Sequence, residues 1–344
     1  MRIKFKSFRM QLRFFLFALT VLALAGCRND FSLEADYQDV PVAYAYFNAD
    51  DDRHFVRVEK AFLESGGNAE AIAGIADSIY YGAENATVIL ENISRNESRE
   101  MERVDARDFG RNRADGIFAQ SPNIAYTLTD QELLLSGGNK IRLTIQRPGE
   151  PDAVAETDLI PELEVIRPGE MVRVDDYPRP VAIVWSKEDG AAIYDITVFF
   201  TIRELYPSDP SRNRTVRLEW PVVSGFVPGP EQNSTNRVNY DIQSESFYQF
   251  IGGALEEDSD VTRRFQFFDV QVAAAGQEVL DRRNLENANA GITSSQSLPR
   301  YSNLLGGLGL VTSNTSSLKE GIQFDSGSLD SLEGGIYTRD LGFR

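Results

Sequence analysis

Two side chains stand out for chemistry because each is the only one of its type in the chain, Cys27 and His54. A thiolate is a ready nucleophile, and Cys27 closes the run Leu24-Ala25-Gly26-Cys27. Bacterial lipoprotein processing needs a cysteine at that position. There the thiol accepts a diacylglyceryl group and the chain is cut just ahead of it. His54 follows Asp50-Asp51-Asp52-Arg53. A Ser-His-Asp arrangement would need the imidazole beside a nucleophile with a carboxylate orienting it, and the chain has no Gly-x-Ser-x-Gly elbow. A histidine at a strand edge or turn is the plainer expectation. A single Cys and a single His also exclude a disulfide framework and a Cys/His zinc site.

Oxygen chemistry is harder to localise. Asp50-Asp51-Asp52 and Glu256-Glu257-Asp258-Ser259-Asp260 gather carboxylates of the kind Ca²⁺ prefers, but neither has the spaced ligand loop with a closing Glu. Solvated turns are expected at both, with no metal and no cofactor. A carboxylate pair could hydrolyse a glycosidic bond, yet among 52 acidic residues sequence spacing cannot select one. Gly306-Gly307-Leu308-Gly309 lacks the lysine and spacing of a phosphate loop and reads as a tight turn. The formal charge of −17 repels phosphate backbones, which argues against nucleic-acid partners.

The elements that would carry these residues begin with an export signal. Arg2, Lys4, Lys6, Arg9 and Arg13 precede an apolar run from Phe14 to Ala25. That run is too short for the ~20 residues of a membrane-spanning helix and has the size of a signal-peptide core. Residues 1–26 are therefore expected to be removed. Cys27 would then start a tether over 27–38, anchored by acyl chains that each gain about 0.8 kcal/mol per buried CH₂.

Beyond the tether, strand patterns dominate at 40–47, 54–63, 86–93, 140–146 and 153–159, with one helix expected over 68–76. Further strands are expected at 180–185, 192–205, 215–223 and 263–273. Trp185 and Tyr194 on successive strands resemble the fibronectin type III pattern. The apolar face of 244–255 predicts an inserted helix with Ser244 as its cap. Residues 284–344 read as ordered but irregular. The expected architecture is all-β, with two immunoglobulin- or fibronectin-III-like sandwiches, at 39–167 and 168–344.

A family resemblance rests on two stretches. One runs from Asp51 through Arg53-His54-Phe55-Val56-Arg57-Val58 to Asp77-Ser78-Ile79-Tyr80-Tyr81. The other is Pro299-Arg300-Tyr301-Ser302-Asn303-Leu304, leading into Gly307-Leu308-Gly309-Leu310-Val311. Both resemble uncharacterised outer-membrane lipoproteins of Bacteroidota, some encoded near TonB-dependent receptors. The resemblance implies an accessory role beside such a receptor in capturing a ligand; with the lipidation signal, the all-β patterning and the lack of a nucleophile–base or metal constellation, the expectation is a lipid-anchored, cell-surface binding protein and not an enzyme. It carries over no active-site motif. Asp77-Ser78-Ile79 and Asp330-Ser331-Leu332 also fit the short O-glycosylation pattern of that phylum, at Ser78 and Ser331. Two other readings compete: a surface glycan hydrolase using a carboxylate pair, and a structural subunit that pairs an edge strand with a neighbour.

Overall fold

The architecture is built around one large sheet, seen in a computed structural model that describes residues 39–61, 69–290 and 299–344. The expected lipidation segment, residues 24–27, and the tether lie outside those residues. The first half of the chain contributes β1 (Pro41–Phe47), β2 (Arg53–Lys60), α1 (Ala69–Ala73), α2 (Ala76–Ile79), β3 (Thr87–Asn92), β4 (Glu97–Glu100), β5 (Glu102–Asp105), β6 (Ile124–Thr129), β7 (Lys140–Gln146) and β8 (Ala153–Asp158). The second half begins with β9 (Val165–Arg167), β10 (Met171–Val172), β11 (Pro180–Ser186), β12 (Ala191–Leu205), β13 (Arg214–Phe226), α3 (Pro230–Asn233) and β14 (Arg237–Gln243). It ends with α4 (Ser244–Ala254), β15 (Thr262–Gly276), α5 (Gln277–Ala290), β16 (Leu308–Phe324) and α6 (Ser326–Gly334).

The fold is all-β in character, built from packed sheets with no barrel. A nine-stranded sheet runs in the order β13-β12-β15-β16-β1-β2-β6-β5, with β10 added against β16. Smaller sheets, β4-β3-β7-β8 and β14-β11-β9, complete the sandwich. Each stacking follows from period-two patterning. In β12, Tyr194, Ile196, Val198, Phe200 and Ile202 point inward and are buried. They pack with Ile183 and Trp185 of β11, Val238 and Ile242 of β14, and Phe247, Tyr248 and Ile251 of α4. Trp185 and Tyr194 meet with ring centroids 5.2 Å apart. A second core gathers Phe47, Val56, Val58, Tyr126 and Leu128 against Val88, Leu90, Ile141, Leu143 and Ile145.

The two cores share a strand. β16 pairs in parallel with β1 from Val42↔Leu308 to Phe47↔Ser313, then antiparallel with β15 from Ala275↔Asn314 to Phe268↔Ile322. Val311 belongs to the core of the first half, Ile322 and Phe324 to that of the second. The main sheet therefore continues across the expected division after residue 167, and all described residues fall in a single compact unit.

Several local expectations are corrected. The described part of 284–344 is not irregular: it holds the end of α5, a 17-residue strand and α6. The strand's Ser/Thr-rich middle is stabilised by partners on both sides. Buried Ser313 donates to the Phe47 carbonyl and accepts from the Ile160 N–H, both at 2.9 Å, so its hydroxyl carries no unpaired desolvation cost. The helix at 244 forms, but Ser244 does not cap it; its hydroxyl donates to the Arg179 carbonyl. The helical stretch after residue 68 is two short helices separated at Gly74-Ile75. His54 is no edge residue: it lies in β2, between β1 and β6, and is 2% exposed.

Candidate ligand-binding cleft

β1 has an inverted pattern. Its inward positions carry the small Ala43 and Ala45, while the outward positions carry Tyr44 and Tyr46, 43% and 49% exposed. Tyr44 lies opposite Arg57 on β2 and Leu310 on β16. Beside it opens a cleft of about 970 Å³ whose walls come from β1, α5, residues 299–301 and the start of β16. Tyr44, Arg282, Glu286, Arg300, Tyr301 and Leu308 supply its aromatic, charged and apolar surface.

Local bonds position each wall. α5 crosses the sheet without a buried residue. It is tied instead by polar contacts: the Thr312 hydroxyl donates to Glu278 at 2.9 Å, Arg283 donates to the Gly225 carbonyl, and Asn289 donates to the Pro299 carbonyl at 2.9 Å. On the opposite wall, the Asn303 side chain donates to the Val311 carbonyl at 2.7 Å and accepts from the Val311 N–H at 3.0 Å. Leu305 exchanges backbone hydrogen bonds with Val154 at 2.8 and 2.9 Å. Both ties hold Tyr301 over the cleft. At its floor Gly309 has φ +133°, and a Cβ there would lie 1.8 Å from the Ala43 carbonyl oxygen. Only glycine lets β16 approach β1 this closely.

The electrostatics are mixed, with a cationic surplus. Arg282 Nε donates to Glu286 Oε1 at 2.8 Å. That bond, then the nearby Tyr44 and Tyr46 hydroxyls, favour the charged guanidinium. Arg300 makes no ion pair among the described residues. Burial raises the Tyr301 phenol, with Asp281 and Glu278 adding to the shift. Glu286 is the one carboxylate lining the cleft.

Two other cavities differ in kind. One of about 680 Å³ surrounds Glu204, which is 0% exposed. Burial alone would raise the Glu204 pKa, but hydrogen bonds from Arg214 (2.7 Å) and Arg263 (2.8 Å) outweigh it and hold the group low. Arg263 also donates to the Leu341 carbonyl at 2.8 Å, so this network fastens the carboxy terminus to the second core. The other, about 690 Å³, is an open groove across β11 and β14.

The residues singled out in the sequence are not brought together. His54 packs 6.0 Å from the Phe47 ring, its Nε2 4.0 Å from Asp130 Oδ1, with no nucleophile beside it. Ser78 lies in α2 and Ser331 in α6, both half-buried. Asp258 and Asp260 bind Arg212 at 3.4 and 3.7 Å. Among the described residues no group of three or more His, Cys, Asp or Glu is placed to hold a metal ion, and no helix is long and apolar enough to cross a membrane. The cleft itself was missed, although Pro299, Arg300, Tyr301 and Leu308 to Leu310 belong to a stretch that carries the family resemblance. The readable signal was the small-inside, aromatic-outside alternation of β1.

No family model matches the sequence, and no curated protein matches it. Among solved structures, the chain is similar to one described as structural insight into host cell surface retention of a 1.5-MDa bacterial ice-binding adhesin. That similarity has 8% identity and a TM-score of 0.19, covering 85% of this chain and 66% of the other. At that level neither fold nor function passes from the adhesin to this chain.

Proposed function

We propose that this chain is a lipid-anchored, non-enzymatic binding protein of the outer membrane, exposed at the cell surface. In this reading it presents a ligand to a neighbouring TonB-dependent receptor. Cys27 supplies the anchor, held by acyl chains in the membrane. The observation that carries the binding role is the cleft beside Tyr44, where an exposed ring on the main sheet meets Arg282 of α5 and Arg300. Ligand sites of this size combine apolar walls with a few placed polar groups. The competing hydrolase would need two carboxylates roughly 5 to 9.5 Å apart, and this cleft is lined by one, Glu286.

Crosslinking in intact cells, followed by affinity purification and mass spectrometry, tests this function. Wild-type protein should recover an outer-membrane receptor, and Cys27→Ser should lose it while the chain remains folded. Recovery of no envelope partner by the wild type would refute the accessory role.

A further inference from the structure

The geometry points to an acidic polysaccharide as the ligand of the Tyr44–Arg282–Tyr301 cleft, an inference that rests on the binding role proposed above. The first argument is shape. Tyr44 and Tyr46 are two residues apart on one strand, so their rings lie on the same face, about 7 Å apart along it. Both rings are exposed, and their spacing suits consecutive sugar rings. Tyr301 faces the same cleft. An aromatic face offers sugar C–H groups a large contact area at little conformational cost, because the ring has few torsions to freeze.

Charge is the second argument. Arg282 is committed to Glu286 only through Nε, and its two Nη groups have no hydrogen bond among the described residues. Arg300 has no ion-pair partner there either. Guanidinium forks of this kind fit carboxylate or sulfate oxygens in pairs. Glu278 and Asp281 stand outside the lining and accept from Thr312 and, at 2.7 Å, from Gln277. Within the lining Glu286 is the one acid, against Arg282 and Arg300. On a chain of net charge −17, a polyanion is repelled everywhere except where cations are concentrated. Retention of an acidic glycan by this protein must therefore be local, and a neutral glycan would leave Arg300 and the Arg282 Nη groups without an acidic partner. Tyr44 and Tyr46 would stack on the sugar rings while Arg282 and Arg300 take the acidic groups.

Affinity electrophoresis of the detergent-solubilised full chain, in gels containing polygalacturonate, dextran sulfate or neutral dextran, reads this directly. Retardation is expected with polygalacturonate or dextran sulfate, and the one that binds identifies the acid as carboxylate or sulfate. Neutral dextran should leave mobility unchanged. The double variant Tyr44→Ala/Tyr46→Ala should weaken retardation about tenfold, as loss of a central aromatic anchor does. Arg282→Gln and Arg300→Gln should each weaken it several-fold. Tyr44, Arg282 and Arg300 line the cleft and Tyr46 is exposed two residues along the strand, and an unchanged urea midpoint shows that each variant is folded. Three results would overturn the inference: retardation by neither acidic polymer, equal retardation by neutral dextran, or full retardation of the variants. Recovery of a receptor in the crosslinking experiment despite such a result would remove the glycan and leave the accessory role standing. Glycan retention without a receptor would do the reverse.

Discussion

Mild acidification addresses one side chain, because His54 is the only imidazole in the protein. It is 2% exposed, and neither ring nitrogen has a hydrogen-bond partner among the described residues. Burial lowers its pKa from 6.5; Asp130 and Asp51 oppose the shift without reversing it. The Asp130 oxygen nearest the ring, 4.0 Å away, already accepts from the Leu135 N–H at 2.9 Å, so it is not free to close on an imidazolium. The unfolded chain therefore takes up a proton near pH 6.5 that the folded chain refuses. Stability is fully present above that pH and falls as pH drops below it, by no more than about 1.4 kcal/mol per pH unit for one proton. Between pH 7 and 5.5 the loss approaches a ceiling of about 1.3 kcal/mol, before ordinary carboxylates begin to titrate. Urea unfolding followed by far-UV circular dichroism at several pH values measures it. His54→Phe removes the titrating group and sets an apolar ring beside Phe47, so its stability should be flat over the same range. Wild-type stability that rises on acidification would mean that the aspartates outweigh burial. A slope retained in His54→Phe would assign the proton to another group. Either result refutes the reasoning.

Two further substitutions probe how the main sheet is held. Glu204→Gln leaves Arg263, 3% exposed, without its counter-charge; the expected loss is about 3–5 kcal/mol, read as a lower urea midpoint at unchanged slope. Gly309→Ala forces a Cβ to within 1.8 Å of the Ala43 oxygen at a φ of +133°. It should cost more than about 4 kcal/mol and lower the yield of soluble protein, since the β1–β16 pairing must open to admit the methyl group.

What the sequence revealed depended on where the stabilising contacts come from. β7 matches its expected bounds, and β12 and β15 were located, because alternating buried side chains are a local signal. α4 was legible for the same reason, with Phe247, Tyr248 and Ile251 on one face. β16 was not: Thr312 to Ser317 look like loop residues. They form a strand because β1 and β15 pair with their backbone, a long-range condition that composition does not express. The same strand carries the chain through both cores. Within the site, Arg300, Tyr301 and the glycine turn were noticed as a motif, but Arg282 and Glu286 were not. α5 lacks the apolar stripe by which a packed helix is recognised.

That missing stripe also explains why there is a cleft. A helix laid on a sheet through apolar side chains closes over the rings beneath it, since each buried large side chain gains about 1.5–3 kcal/mol. α5 has no fully buried residue, only half-buried ones such as Leu285, and is held by Glu278, Arg283 and Asn289, bonded to Thr312, Gly225 and Pro299. These ties fix the helix at a distance set by hydrogen-bond length rather than by side-chain interdigitation. Tyr44 and Tyr46 thus remain open to solvent, with an arginine beside them and glycine at the floor. Leaving two tyrosines in water forgoes the stabilisation that burying them would give. An exposed aromatic pair maintained in that way is better accounted for by a ligand that covers it than by the needs of the fold.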